Sequence, residues 1–119
     1  MSHYVDGFLL PVPKGRVEDY RKLAQQAAAV WKEHGAVAYF EGVADDVPAG
    51  EHASFPQAVQ LKDDEVVVFA WIVFRSRAHR DEVNAKAMAD PRLAGVDPKT
   101  LPFDARRMMW GGFSSLVEA

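Results

Sequence analysis

The chain has 119 residues, 49% of them hydrophobic and 26% charged, with a formal net charge of -3 and no cysteine. This length and composition predict a single folded domain over residues 1–119 and exclude both a disordered chain and a catalytic domain joined to a regulatory one. The acidic balance removes the positive field that draws in phosphate backbones, and the lack of cysteine removes disulfides, thiolate metal sites and cysteine nucleophiles.

No stretch approaches the roughly 20 apolar residues of a membrane span, and no basic segment followed by an apolar core opens the sequence. A cytoplasmic protein with neither nucleic acid nor membrane as partner is expected. The compact basic clusters, Arg75, Arg77 and Arg80 and then Arg106 and Arg107, fall beside predicted strand ends, where solvated arginines are the common finding.

Tyr4 to Val12 reads as a first strand, stopped by Pro11 and Pro13, which cannot donate to a ladder. From Arg16 to His34, Val17, Tyr20, Ala24, Ala27, Ala28 and Trp31 recur at helical spacing, with Glu18 and Asp19 in the positive first turn and Gly35 as terminator. Val37 to Val43 gives a second strand, and Ala44 to Ser54 a loop rich in Asp, Pro and Gly. Phe55 to Leu61 is taken as a short strand, turned by Lys62, Asp63 and Asp64 into the apolar run Glu65 to Phe74. Ser76 is a good N-cap for a second helix from Arg77 to Ala89, which Asp90-Pro91 ends. Arg92 to Asp104 forms an irregular connection with room for one helical turn. Arg106 to Val117 is the last strand, and Gly111-Gly112 inside it signals a bulge or a close backbone approach.

The order strand, helix, strand, strand, helix, strand is the split βαβ pattern of an α+β, ferredoxin-like βαββαβ fold, with both helices on one face of an antiparallel sheet. The run at 65–74 shows no polar alternation, as in a strand covered on both sides. Helices cover one side only. Leaving the other bare would expose an apolar patch that soluble monomers rarely tolerate, so a two-fold homodimer with sheets packed face to face is expected.

Many ordered segments carry a family resemblance. Val5-Asp6-Gly7-Phe8, Pro11-Val12-Pro13-Lys14, Trp31-Lys32-Glu33-His34-Gly35-Ala36, Asp45-Asp46-Val47-Pro48, Ser54-Phe55-Pro56, His79-Arg80-Asp81-Glu82-Val83-Asn84-Ala85-Lys86 and Met88-Ala89-Asp90-Pro91-Arg92 closely resemble the bacterial YbaA-like family, domain of unknown function 1428. The resemblance covers essentially the whole chain. It implies a dimeric α+β barrel and supplies no reaction. Members have carried a label tying them to signal-recognition-particle RNA, yet this acidic chain lacks the aromatic-plus-basic strand motif of an RNA-recognition domain.

The second helix holds the best candidates for chemistry. At 100° per residue Val83 and Ala87 point one way, His79 and Arg80 flank that direction, and Asn84 lies close by, so polar groups share the core-facing stripe. Buried, they are either satisfied by the protein or held ready for a ligand; the structural alternative pairs Arg80 with a carboxylate such as Asp6 or Glu41 and bonds His79 to backbone. Tyr4, Asp6 and Phe8 share one face of the first strand, Tyr39 and Glu41 one face of the second, and Val67, Phe69 and Trp71 one face of the third; Trp110 or Met109 belongs to the last. If Asp6 or Glu41 shares the helix-facing side with Trp71 and Trp110, an aromatic pocket with convergent polar groups results. As plain core or dimer contacts the same aromatics need no ligand.

Similar dimeric barrels include cofactor-independent monooxygenases and haem-degrading enzymes, with an amide on the first strand, a tryptophan on a central strand and a histidine on the second helix. Asp6, Trp71 and His79 stand in comparable places, although a carboxylate cannot donate as an amide does. The loop Asp45 to His52 has oxygen and imidazole groups but no recognised metal spacing, and reads as an acidic solvated loop or a lid. His34 suits the C-terminal end of the first helix. Ser114 and Ser115 lack a nearby histidine, and no glycine-rich phosphate loop is present.

The sequence therefore predicts a homodimer, needing no cofactor, that binds an unidentified small molecule between sheet and helices. His79 and Arg80 are its candidate catalytic groups: histidine ordinarily titrates nearest neutrality, and arginine can stabilise developing negative charge. Asp6, Glu41, Trp71, Asn84 and Trp110 are its candidate ligand contacts. The alternatives are a non-catalytic structural or interaction module and, third, an RNA-associated protein.

Overall fold

A computed structural model describes residues 2–119. Strands β1 (Tyr4–Pro13), β2 (Ala38–Val43), β3 (Glu65–Phe74) and β4 (Met109–Ser114) form one antiparallel sheet in the order β2-β3-β1-β4. Helix α1 (Val17–Glu33) follows β1, the one-turn α2 (Phe55–Ala58) precedes β3, and α3 (Arg77–Ala89) and the one-turn α4 (Pro91–Ala94) precede β4. This is the expected ferredoxin-like βαββαβ arrangement.

Phe55 to Leu61 is not the short strand that its apolar residues suggested. Ser54 caps it, its hydroxyl accepting from the Gln57 N–H at 3.2 Å, and Pro56 fits the first helical turn, so local capping outweighs a short apolar run. Pro91 likewise ends α3 and opens α4, where Asp90 accepts from the Arg92 N–H at 2.9 Å. Ser76 caps α3 through the His79 N–H at 3.1 Å. Gly35 ends α1 at φ 118, a conformation that strains any residue with a Cβ. The Gly111-Gly112 pair makes no bulge: the register Asp6 to Gly112 and Gly7 to Gly111 is unbroken. Close approach is its reason, since a Cβ on Gly112 would lie 2.3 Å from the Tyr4 hydroxyl.

Strand register sorts the sheet into two unlike faces. Toward the helices point Tyr4, Asp6, Phe8, Leu10 and Val12 of β1 with their partners Phe74, Ile72, Ala70, Val68 and Val66 of β3. Around Ile72, Phe74, Val83 and Ala36 pack Trp31 and Tyr39, and around Leu10, Val12 and Val68 pack Val17, Tyr20 and Phe103. The opposite face carries Phe40, Phe69, Trp71, Met109 and Phe113; α2 covers only its Val67 end, where Phe55 packs against Phe69 at 6.1 Å between ring centroids. Phe40 stacks on Trp71 at 4.2 Å between ring centroids, yet remains 46% exposed, and Phe113 is 63% exposed.

One end of the sheet is fastened by charge. Arg107, just before β4, donates to both oxygens of buried Glu65 at 2.7 and 2.6 Å, to the Gln60 carbonyl at 3.0 Å and to Asp104 at 3.0 Å. The guanidinium holds Glu65 below its ordinary value, and Arg107 with the Arg106 N–H lowers Asp104 to about 2. Carboxyls depressed in the folded state stabilise it above their unfolded values, and that contribution disappears as pH falls through the folded ones. The urea midpoint is therefore expected to fall steadily from the ordinary carboxylate range toward pH 2, and Glu65→Gln should lower it at pH 7 while making the acid decline shallower. An unchanged acid profile in that variant would remove Glu65 from the account.

Candidate functional site

Two polar groupings lie between the sheet and the helices, and they differ in kind. The first is centred on Asp6 of β1. Its Oδ1 accepts from Arg80 Nη1 at 2.7 Å and its Oδ2 from Asn84 Nδ2 at 3.3 Å, while Asn84 Oδ1 accepts from Trp31 Nε1 of α1 at 2.9 Å. Arg80 also donates to Asp81 at 2.8 Å and lies 5.0 Å from the centre of the Tyr4 ring. Burial pushes the Asp6 carboxyl above its ordinary value, and the Asn84 amide and Arg80 guanidinium draw it back. His79 is fixed too: its Nδ1 accepts from the Arg75 N–H at 3.0 Å, and its ring meets Phe74 edge-on.

These partners follow from the helical and strand periods. Residues 79, 80, 83, 84 and 87 form one stripe of α3, and the stripe lies against the β1 face bearing Tyr4 and Asp6. Of the two carboxylates considered for Arg80, Asp6 is the one it meets. Among the described residues, no fully buried side-chain nitrogen or oxygen lacks a partner. The network is closed on itself, and none of Asp6, His79, Arg80 or Asn84 lines the cavity beside α1 or the one beside α2.

The second grouping opens onto space. Between α1 and the β2–β3 edge lies a cavity of about 260 Å³, walled by Val12, Val17, Ala24, Ala28, Val43 and Val68. Ala24 and Ala28 create it, because at those turns of α1 the side chains are too short to reach the sheet. Glu41 stands in its wall, and both of its oxygens accept from tyrosines: Oε1 from the Tyr20 hydroxyl, Oε2 from Tyr39 at 2.6 Å. Burial first, and then the Glu41 carboxylate, pushes both phenols well above the ordinary tyrosine value, so each remains a donor.

The other sequence-predicted contacts are dispersed. Trp71 does not join Asp6 and Glu41: successive residues of a strand face opposite ways, and the pairings Asp6 to Ile72 and Gly7 to Trp71 put the indole on the face away from α1 and α3. Asp6, Trp71 and His79 therefore do not converge as the monooxygenase analogy requires. Trp110, opposite Phe8, is on the helix side, but on the edge strand and 62% exposed. In the loop 44–54, Asp45, Asp46, Glu51 and His52 do not form a group that could hold a metal ion; no cluster of three or more His, Asp or Glu side chains does so among the described residues. His34 is the C-cap residue of α1, and its side chain also bonds Asp90 at 3.0 Å. Tyr20 and Tyr39 were not identified as site residues from sequence, although a tyrosine on the apolar stripe of a helix signals a hydroxyl in need of a buried partner.

The fold is an α+β sandwich of a four-stranded antiparallel sheet and helices, and its wider likeness agrees. An uncharacterized NIPSNAP domain protein from Burkholderia xenovorans, known from a crystal structure, superposes with a TM-score of 0.58 at 16% identity, covering 98% of this chain and 94% of that one. In sequence, residues 3–105 match the family described as protein of unknown function, DUF1428. The uncharacterized protein YbaA of Escherichia coli K12 is 43% identical over 115 residues, 97% of each chain, and that of Shigella flexneri matches to the same extent. The chain belongs to this DUF1428, YbaA-like family.

If the Asp6 network is structural, breaking it should cost stability. Arg80→Ala leaves a buried carboxylate with only an amide for partner and is expected to lower unfolding free energy by about 3–5 kcal/mol in urea. The double change Asp6→Leu with Arg80→Met should lose less than Arg80→Ala alone. Full stability of Arg80→Ala would show that the ion pair does not hold α3 to the sheet.

Proposed function

We propose that the protein is a homodimer that binds a small molecule in the cavity between α1 and the β2–β3 edge. The observation that carries the binding reading is the cavity itself: apolar walls converge on Glu41 with its two tyrosines, and Arg21 and Gln25 of α1 border it, which is the usual make-up of a small-molecule site. Its volume falls just below the range of drug-sized sites, roughly 300–1,000 Å³. A fragment-sized ligand with an apolar body fits. The Asp6, His79, Arg80 and Asn84 network supports the site indirectly, by seating α3 and α1 on the sheet.

Assembly rests on the sheet face away from α1 and α3, which α2 covers only at its Val67 end. Two strands of ten residues and two of six, about 4.8 Å apart and rising about 3.4 Å per residue, span roughly 500 Å² in plan. With side chains standing out of that plane, this approaches the ~800 Å² per partner of a standard interface. Trp71, Phe40, Phe69 and Phe113 are the aromatic anchors expected at its centre.

Native mass spectrometry of protein purified without added ligand reads both claims. Two chains with an organic adduct are expected. Ala28→Trp should lose the adduct and remain a dimer, and Trp71→Glu should give a monomer. A wild-type monomer would overturn the assembly. An adduct retained by Ala28→Trp, or a bare wild-type dimer that takes up no member of a fragment library, would overturn the cavity as the binding site.

A further inference from the structure

Glu41 is electrostatically unusual. Every other acidic side chain among the described residues is either exposed or paired with a basic group: Asp6 with Arg80, Glu65 and Asp104 with Arg107, Asp90 with Arg92. Glu41 is half-buried and has no cation. Arg21 and Gln25 also border the cavity, but neither bonds Glu41, and Arg21 Nε is held by Glu18 at 3.1 and 3.2 Å. A partly desolvated carboxylate beside apolar walls gains most from a positive partner.

The hydrogen-bond inventory points the same way. Each tyrosine gives its one hydroxyl proton to Glu41, so what the cluster offers an incoming group is acceptors only: the unused lone pairs of the carboxylate and of two phenol oxygens. Such a cluster suits a donor-rich head and repels an anion. The tyrosine rings add a further attraction for positive charge. Ala24 and Ala28 leave room beside it for an apolar body.

From this juxtaposition we propose that the cavity is a site for an organic cation, an ammonium or amidinium group on a small apolar body, with the head on Glu41 and the body against Val12, Val17 and Val68. The assignment rests on the cavity reading above and adds the ligand's charge and donor character.

Four ring compounds of one size decide it: benzylamine, benzamidine, benzyl alcohol and benzoate, each titrated into the dimer while the amide resonances of Ala28 and Gly42 are followed by NMR. The two cations should shift both resonances saturably at millimolar concentration, and the alcohol and acid should not. Glu41→Gln should weaken the cations by at least about tenfold, the loss expected for a hydrogen bond to a charged group. The comparison among the four compounds on wild-type protein stands even if that variant does not fold. Equal or tighter binding of benzoate or benzyl alcohol would overturn the cation assignment and leave the cavity as a binding site. No response at α1 and β2 to any of the four would overturn both.

Discussion

A single buried acid, Asp6, ties the layers of this molecule together. It lies on a central strand, takes the Arg80 guanidinium and the Asn84 amide from α3, and through Asn84 reaches the indole N–H of Trp31 on α1. A carboxylate taken out of water is tolerable only when such partners surround it, so the position of α3 on the sheet is dictated by charge as well as by the packing of Val83 and Ala87. Because the same network engages Trp31, it also fixes the C-terminal half of α1. The start of α1 is held differently, by Val17 and Tyr20, and between the two anchorages the small side chains of Ala24 and Ala28 leave the helix standing off the sheet.

The division of labour between the two polar groupings follows from how each is satisfied. Around Asp6, donors and acceptors are matched and positive charge answers negative, which makes a rigid joint. Around Glu41, two neutral donors answer one negative charge, and open space adjoins the group. A site that leaves charge and volume uncompensated in the same place is the kind of arrangement a ligand completes. The sheet's far side poses the same question in apolar terms, with Phe40, Trp71 and Phe113 gathered beyond the reach of α2, which touches only Phe69.

Membership of the DUF1428 family gives this geometry a comparison set, since the YbaA proteins align over nearly their full length. The NIPSNAP-domain likeness, at 16% identity, speaks for the backbone arrangement alone. Differences among such folds are therefore to be sought in side chains like Glu41 and Tyr20, which do not alter the fold and do alter what the crevice can hold.

The order of elements, the ends of α3 and the apolar character of β3 were determined by the sequence itself, because each depends on neighbours a few residues apart: Ser76 on the His79 N–H, Pro91 on the residue before it, and β-branched residues on their own backbone. The choice between Asp6 and Glu41 as partner of Arg80 was not local, and only the β1–α3 contact decided it. So too with Trp71. In an uninterrupted apolar run no polar residue marks which parity faces inward, and the pairing with β1 that assigns it comes from residues some sixty positions away. The cavity is the most non-local feature of all: Ala24 and Ala28 are ordinary helix formers in sequence, and become a site only because the sheet holds Glu41 and Tyr39 opposite them.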